Sequence, residues 1–208
     1  MKPATISNLA DRTTEDARTG AMRSIQAADL SLPTSALREL WSPLYLERLA
    51  RTYWRFLTRV TLGLIRVRYS QTERSVVLVG RLRLLTFAAP EYELEAGHGI
   101  VRWRIVRGLL VARRGRGGAG HLQIDVRRLP DEGGRDSDTA RLHVEVEVAN
   151  FHPAIASGFG LRIYNATQAR IHVLVTHGFL RSLARLDLAE SRVGRFAGTE
   201  NVPSSTAR

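Results

Sequence analysis

Arg141-Leu142-His143-Val144-Glu145-Val146-Glu147-Val148 alternates polar and apolar side chains without a break. Successive side chains of a strand point to opposite faces. This period of two therefore places Leu142, Val144, Val146 and Val148 on a dry face and Arg141, His143, Glu145 and Glu147 on a wet one. Half-buried antiparallel strands read this way.

The same period recurs upstream. Leu122, Ile124 and Val126 alternate with Gln123, Asp125 and Arg127. Val101, Trp103 and Ile105 alternate with Arg102 and Arg104 in a strand expected to reach about Arg113, with a bulge at Gly108. Tyr92, Leu94 and Ala96 alternate with Glu93 and Glu95 before a turn at Gly97-His98-Gly99. Ser75–Ala88 reads as one strand on Val76, Leu78, Leu82 and Leu84 around Gly80, ended by Pro90, which cannot donate to a ladder. Leu62, Leu64, Val67 and Tyr69 suggest a further strand, and Ser24–Leu32 a first one.

Between the first two strands the period lengthens to that of a helix. Pro33-Thr34-Ser35 opens a segment carrying Leu37, Leu40 and Trp41. Ser42-Pro43 then restarts a second helix, with Pro43 at its first position, through Tyr45, Leu46, Leu49, Tyr53, Trp54 and Leu57. After an irregular stretch, Asn165 is placed to cap a last helix with Gln168 three residues on. It carries Ile171, Leu174, Val175, Phe179, Leu183 and Leu186. The expected class is α+β, in the order β-αα-β6-α, with a curved seven-stranded antiparallel sheet wrapped around a long C-terminal helix. Residues 1–22 and 189–208 read as disordered tails around a single domain at 23–188, because their few apolar residues show no period.

Composition narrows the function classes. The 208 residues contain no cysteine, which excludes disulfides, thiolate metal sites and a cysteine nucleophile. No apolar run approaches the roughly 18 residues of a membrane-spanning helix, and the polar N-terminus has no signal-peptide core, so a soluble cytoplasmic protein is expected. Net charge is +11, carried almost wholly by arginine, with Lys2 the single lysine. Such a charge attracts nucleic acid or an anionic membrane surface. The arginines are spread through every element, however, which favours the compositional bias of a GC-rich bacterial genome over either partner.

This order of elements resembles the START-like, or SRPBCC, superfamily with its helix-grip fold, over about Ser24 to Leu188. The resemblance rests on element order and carries over no catalytic residue. It implies a hydrophobic tunnel between sheet and last helix, a site for lipids, polyketides or similar molecules held by a carrier or sensor. A cyclase or dehydratase on the same scaffold is the enzymatic alternative, with His143 or His172 as acid or base. The aromatic residues on apolar alternations are then candidate cavity lining: Trp54, Tyr69, Tyr92 and Trp103, joined by Phe151, Leu174 and Phe179.

Other motifs read as structure. Gly115-Arg116-Gly117-Gly118-Ala119-Gly120 fits G-x-G-x-x-G, but a strand pattern follows where pyrophosphate binding needs a helix, so it is a hairpin loop. His143, Glu145 and Glu147 fall on the wet face of their strand. His172 and His177 are five apart, on different helix faces, so no metal site is expected and no cofactor is implied. Gly178 inside the last helix marks a close approach to the sheet, or room for a ligand.

Overall fold

The computed structural model describes residues 5–34, 43–70, 72–78, 82–130 and 139–152, together with residues 175, 178–180, 182, 183 and 189. The alternating stretch that opens the sequence reading lies in a strand of 13 residues, Thr139–Phe151 (β9), near the middle of the sheet. Ala140, Leu142, Val144 and Val146 are fully buried, and the polar residues between them face the other way. Around it are β1 (Thr5–Glu15), β2 (Met22–Pro33), β3 (Ile65–Tyr69), β4 (Glu73–Leu78), β5 (Leu82–Ala88), β6 (Glu91–Glu95), β7 (His98–Arg107) and β8 (His121–Arg128). The order across the sheet is β1-β2-β9-β8-β7-β5-β4-β3, all antiparallel, with β6 also on β7.

One edge of β7 is shared by two strands in succession. Phe87 of β5 pairs with Ile105, and Glu91–Glu95 of β6 pair with Arg102–His98. Ala89-Pro90 interrupts them, as the missing proline N–H requires. On the inner face of the sheet lies α1 (Pro43–Val60), whose buried Leu46, Leu49, Ala50, Tyr53 and Trp54 follow the i, i+3, i+4 spacing of one helical stripe. The stripe packs into a single apolar cluster with Leu30, Val101, Trp103, Ile124, Val144 and Phe179. Complete burial of a leucine or phenylalanine contributes about 1.5–3 kcal/mol.

The helix-grip expectation is overturned on three counts. The sheet has nine strands and not seven. One of the additional strands is β1, in the segment expected to be a disordered tail; it pairs with β2 alone and is almost wholly exposed. An edge strand with neither face covered needs no dry stripe, so periodicity is blind to it. The other comes from Ser75–Ala88, which is not one strand but two, β4 and β5, with Leu78 opposite Leu82. Third, no long C-terminal helix wrapped by the sheet is found among the described residues. Val175, Gly178, Phe179, Leu180, Ser182 and Leu183 are helical, and three of them meet α1: a side chain at Gly178 would strike the Phe56 ring at 2.5 Å, Phe179 meets the Tyr53 ring, and Arg55 donates to Ser182 Oγ at 3.4 Å. The close approach expected at Gly178 is therefore to a helix and not to the sheet.

Smaller differences follow from bulges. The strand expected to continue to Arg113 ends at Arg107, and Gly108, at φ +148, turns the chain onto β5; a Cβ there would lie 2.2 Å from the Leu84 carbonyl oxygen. The first of the two expected helices, with Leu37, Leu40 and Trp41, lies outside the described residues, as does the expected tail beyond residue 189. No helix among the described residues is long and apolar enough to cross a membrane.

Candidate ligand-binding interior

Two periodicities bring the aromatic residues together. The helical stripe of α1 points Tyr53 and Trp54 at the sheet, while alternation in β7 turns Trp103 up to meet them. The Trp54 ring lies 5.4 Å from Trp103, edge to face, 5.3 Å from Phe87 and 5.2 Å from Tyr53. Phe179 closes on Tyr53 at 6.0 Å. Rings meeting edge to face set positive ring edges against negative faces, which fixes their relative orientation.

Polar atoms interrupt this interior. Among the described residues, Trp54 Nε1 is buried with no hydrogen-bond partner, and so is Gln26 Oε1; Thr86 Oγ1, also without one, is on the opposite face of β5 from Phe87. Gln26 faces inward, opposite Val146, and its amide nitrogen donates to Asp11 Oδ1 at 3.0 Å and Ser24 Oγ at 3.1 Å, leaving the carbonyl oxygen free. A buried donor without an acceptor costs about 1–3 kcal/mol, so each such atom asks for a complement. Burial also raises the Tyr45 and Tyr53 hydroxyl pKa values, which holds both groups neutral.

Of the expected lining residues, Trp54, Trp103 and Phe179 join through Tyr53 in one cluster. Phe151 is buried at the end of β9, brought to the inner face by a bulge: Ser24 and Met22 are two apart, and their partners Val148 and Phe151 are three apart. Tyr92 is half-buried opposite Val101. Tyr69 is half-buried between two guanidinium groups, Arg51 at 4.9 Å and Arg74 at 5.2 Å from its ring. Burial pushes its hydroxyl up to about 12, against the two arginines, which pull it down. Leu174 lies outside the described residues. Sequence reasoning missed Phe87, because Leu84 is an extra residue in β5: Val76 pairs with Leu85 and Val77 with Arg83, and the phase read from Leu82 and Leu84 is reversed beyond it. It also missed Gln26, since one polar residue on an apolar face leaves no periodic signal.

The polar residues on β9 face away from this interior. His143 Nδ1 lies 2.7 Å from Asp29 Oδ1, Asn8 Nδ2 donates to Asp29 Oδ2 at 2.7 Å, and Glu147 pairs with Arg23. A second knot joins His98 and Arg127 to Asp125. No group of three or more acidic or histidine side chains able to hold a metal occurs among the described residues. The G-x-G-x-x-G segment forms a 3-10 turn at Arg113–Gly115 and a loop, and β8 begins at His121 where a phosphate-binding helix would have to start.

No protein-family model matches the chain, and no curated protein matches it. One similar solved structure is the solution NMR structure of CalU16 from Micromonospora echinospora. It is 14% identical, covers 95% of this chain and 86% of that one, and superposes with a TM-score of 0.32. At that score neither fold nor activity is carried across, and the START-like resemblance has no family match behind it.

Proposed function

We propose that this protein binds a small, mostly apolar molecule carrying a hydrogen-bond acceptor, held against the aromatic interior around Trp54. The observation that carries this is the Trp54 indole N–H: a fully buried donor, ringed by Phe87, Tyr53 and Trp103, with no acceptor among the described residues. A carbonyl, ether or hydroxyl oxygen on an otherwise greasy ligand supplies the missing partner, and few well-placed polar groups in an apolar lining are what orient such ligands. Binding without turnover fits the side chains present. Tyr45 and Tyr53 are held neutral by burial, and His143 is on the opposite face of the sheet, paired with Asp29. His172, the other expected acid or base, lies outside the described residues.

Native mass spectrometry of freshly purified protein tests this, followed by thermal shift with apolar molecules differing only in a carbonyl group. The expected result is a small noncovalent adduct and a larger stabilisation by the carbonyl-bearing member of each pair. Trp54→Phe keeps the ring packing and removes the donor, so it should weaken that member by about fivefold, the worth of a net hydrogen bond near 1 kcal/mol, and leave its apolar twin unchanged. An adduct-free protein stabilised by neither member overturns the reading.

A further inference from the structure

Independently of any ligand in the interior, one end of the sheet is built in a way that folding alone does not explain. Helix α1 ends in a Schellman turn: Gly63 N–H donates to the Thr58 carbonyl at 2.8 Å and Leu62 N–H to the Arg59 carbonyl at 3.1 Å. The C′ residue of that motif takes a left-handed conformation and is usually glycine. Here it is Leu62, at φ +51 and 90% exposed. A leucine in the left-handed region costs about 1 kcal/mol or more, and its side chain gains nothing from water.

Leu62 is not alone. Leu64, 56% exposed, follows in the same turn. Ile65, the next residue, pairs with Leu78, and Leu78 pairs with Leu82; both of these leucines are exposed. Leu109, also exposed, donates its N–H to the Arg83 carbonyl beside them. Among the described residues, the other exposed large apolar side chains are Leu9 and Leu94.

The charged residues described on these segments have one sign. Arg59, Arg66 and Arg83 are exposed, and Arg66 Nε donates to the Gly63 carbonyl at 3.2 Å, which holds its guanidinium at the leucine turn. No acidic residue occurs in the sequence between Glu47 and Glu73, between Glu73 and Glu91, or between Glu95 and Asp125. We propose that this end, the Thr61–Leu64 turn with the facing ends of β4 and β5 and the turn at Leu109, docks on an anionic lipid bilayer. The leucines enter the headgroup boundary and the arginines meet lipid phosphates and acidic headgroups. A second copy is disfavoured because two such ends would bring like charges together. Nucleic acid is disfavoured because protruding leucines offer nothing to phosphates, and bases stack on aromatic rings, none of which is exposed among the described residues.

The absence of cysteine from the chain gives a clean probe: Leu62→Cys can carry a single environment-sensitive fluorophore. Vesicles of phosphatidylcholine alone are compared with vesicles containing a minority of phosphatidylglycerol. The expected result is a blue-shifted emission and co-sedimentation with the anionic vesicles alone, weakening as salt is added. The double variant Leu62→Ser, Leu64→Ser should bind about tenfold more weakly with an unchanged melting temperature, since partial burial of two leucines is being removed from an exposed site. Equal binding by the double variant overturns the proposal, because arginines alone would then explain the affinity. So does a wild-type dimer that the double variant converts to monomer, or RNA binding by the wild type with no vesicle binding. The small-molecule adduct in native mass spectra reports on the interior site and is scored separately, so failure of either reading leaves the other standing.

Discussion

Asp29 is a well-partnered carboxylate on the outer face of the sheet. Burial alone would raise its pKa, but hydrogen bonds from Asn8 and His143, with the charges of His143 and Arg141, outweigh that and leave it lowered. The Asn8 contact depends on a bulge: Ser7 and Ala10 are three residues apart where their partners Asp29 and Ala27 are two, and Asn8, at φ +52, turns its amide onto the carboxylate. A carboxylate whose pKa is lower in the folded than in the unfolded chain stabilises the fold above the ordinary value of about 3.9. That contribution is lost as pH falls through the folded value. Asp29→Asn should therefore cost about 2 kcal/mol near neutrality, the scale of hydrogen bonds to a charged group. The gap between variant and wild type should narrow as pH falls from neutrality through the folded value, and urea unfolding midpoints along that series measure it. A gap that persists in acid would mean that the loss comes from packing and not from charge. The pair joins β2 to β9 and fixes their register, a structural use of a histidine that sequence alone offered as acid–base chemistry.

Between the elements, the α1–β3 junction is where the chain departs from what stability would choose. Leu62→Gly removes the left-handed strain and exposes no new apolar surface, so it should stabilise the protein by about 1 kcal/mol in chemical denaturation. A loss of stability would show that the Leu62 side chain packs usefully in solution, and would remove the strain argument for docking. This junction also shows which elements a sequence can declare. Helix α1 was legible because its buried stripe, Leu46 to Trp54, repeats at one period against one surface, and β7, β8 and β9 because each has one dry face. What escaped was set by pairing. Leu62 and Leu64 show a period of two that Val67 and Tyr69 resume one residue out of phase, because the helix cap bonds take the two leucines for a turn and β3 begins only at Ile65. Leu78 and Leu82 keep phase across Gly80 in the sequence, yet they face each other across a hairpin. For the site, ring positions were readable from alternation, whereas the orphan Trp54 N–H is a missing contact, and a missing contact has no sequence pattern.

At the scale of the whole molecule, one interior is shared by α1, the sheet and the described helical residues near Phe179, and its tyrosines report whether it is closed. Burial raises Tyr45, Tyr53 and Tyr69, the last to about 12 even with Arg51 and Arg74 beside it. Above about pH 10 the unfolded chain loses phenolic protons that the folded chain keeps, so stability, level below that point, falls as pH rises toward the folded values. The share of tyrosinate absorbance that belongs to Tyr45 and Tyr53 should then appear together with the change in far-ultraviolet circular dichroism of the sheet in an alkaline titration, because these buried hydroxyls can ionise only when the core opens. Tyr53→Phe should move that joint transition to higher pH by removing one ionisation that favours the unfolded chain. All five tyrosines titrating near 10 with the sheet signal intact would mean that water already reaches the interior. The Trp54 N–H would then have a partner in solvent, and its claim on a ligand would lapse. A coincident transition means the donor is dry, so a ligand can reach it only through an opening of the same packing that keeps the tyrosines neutral.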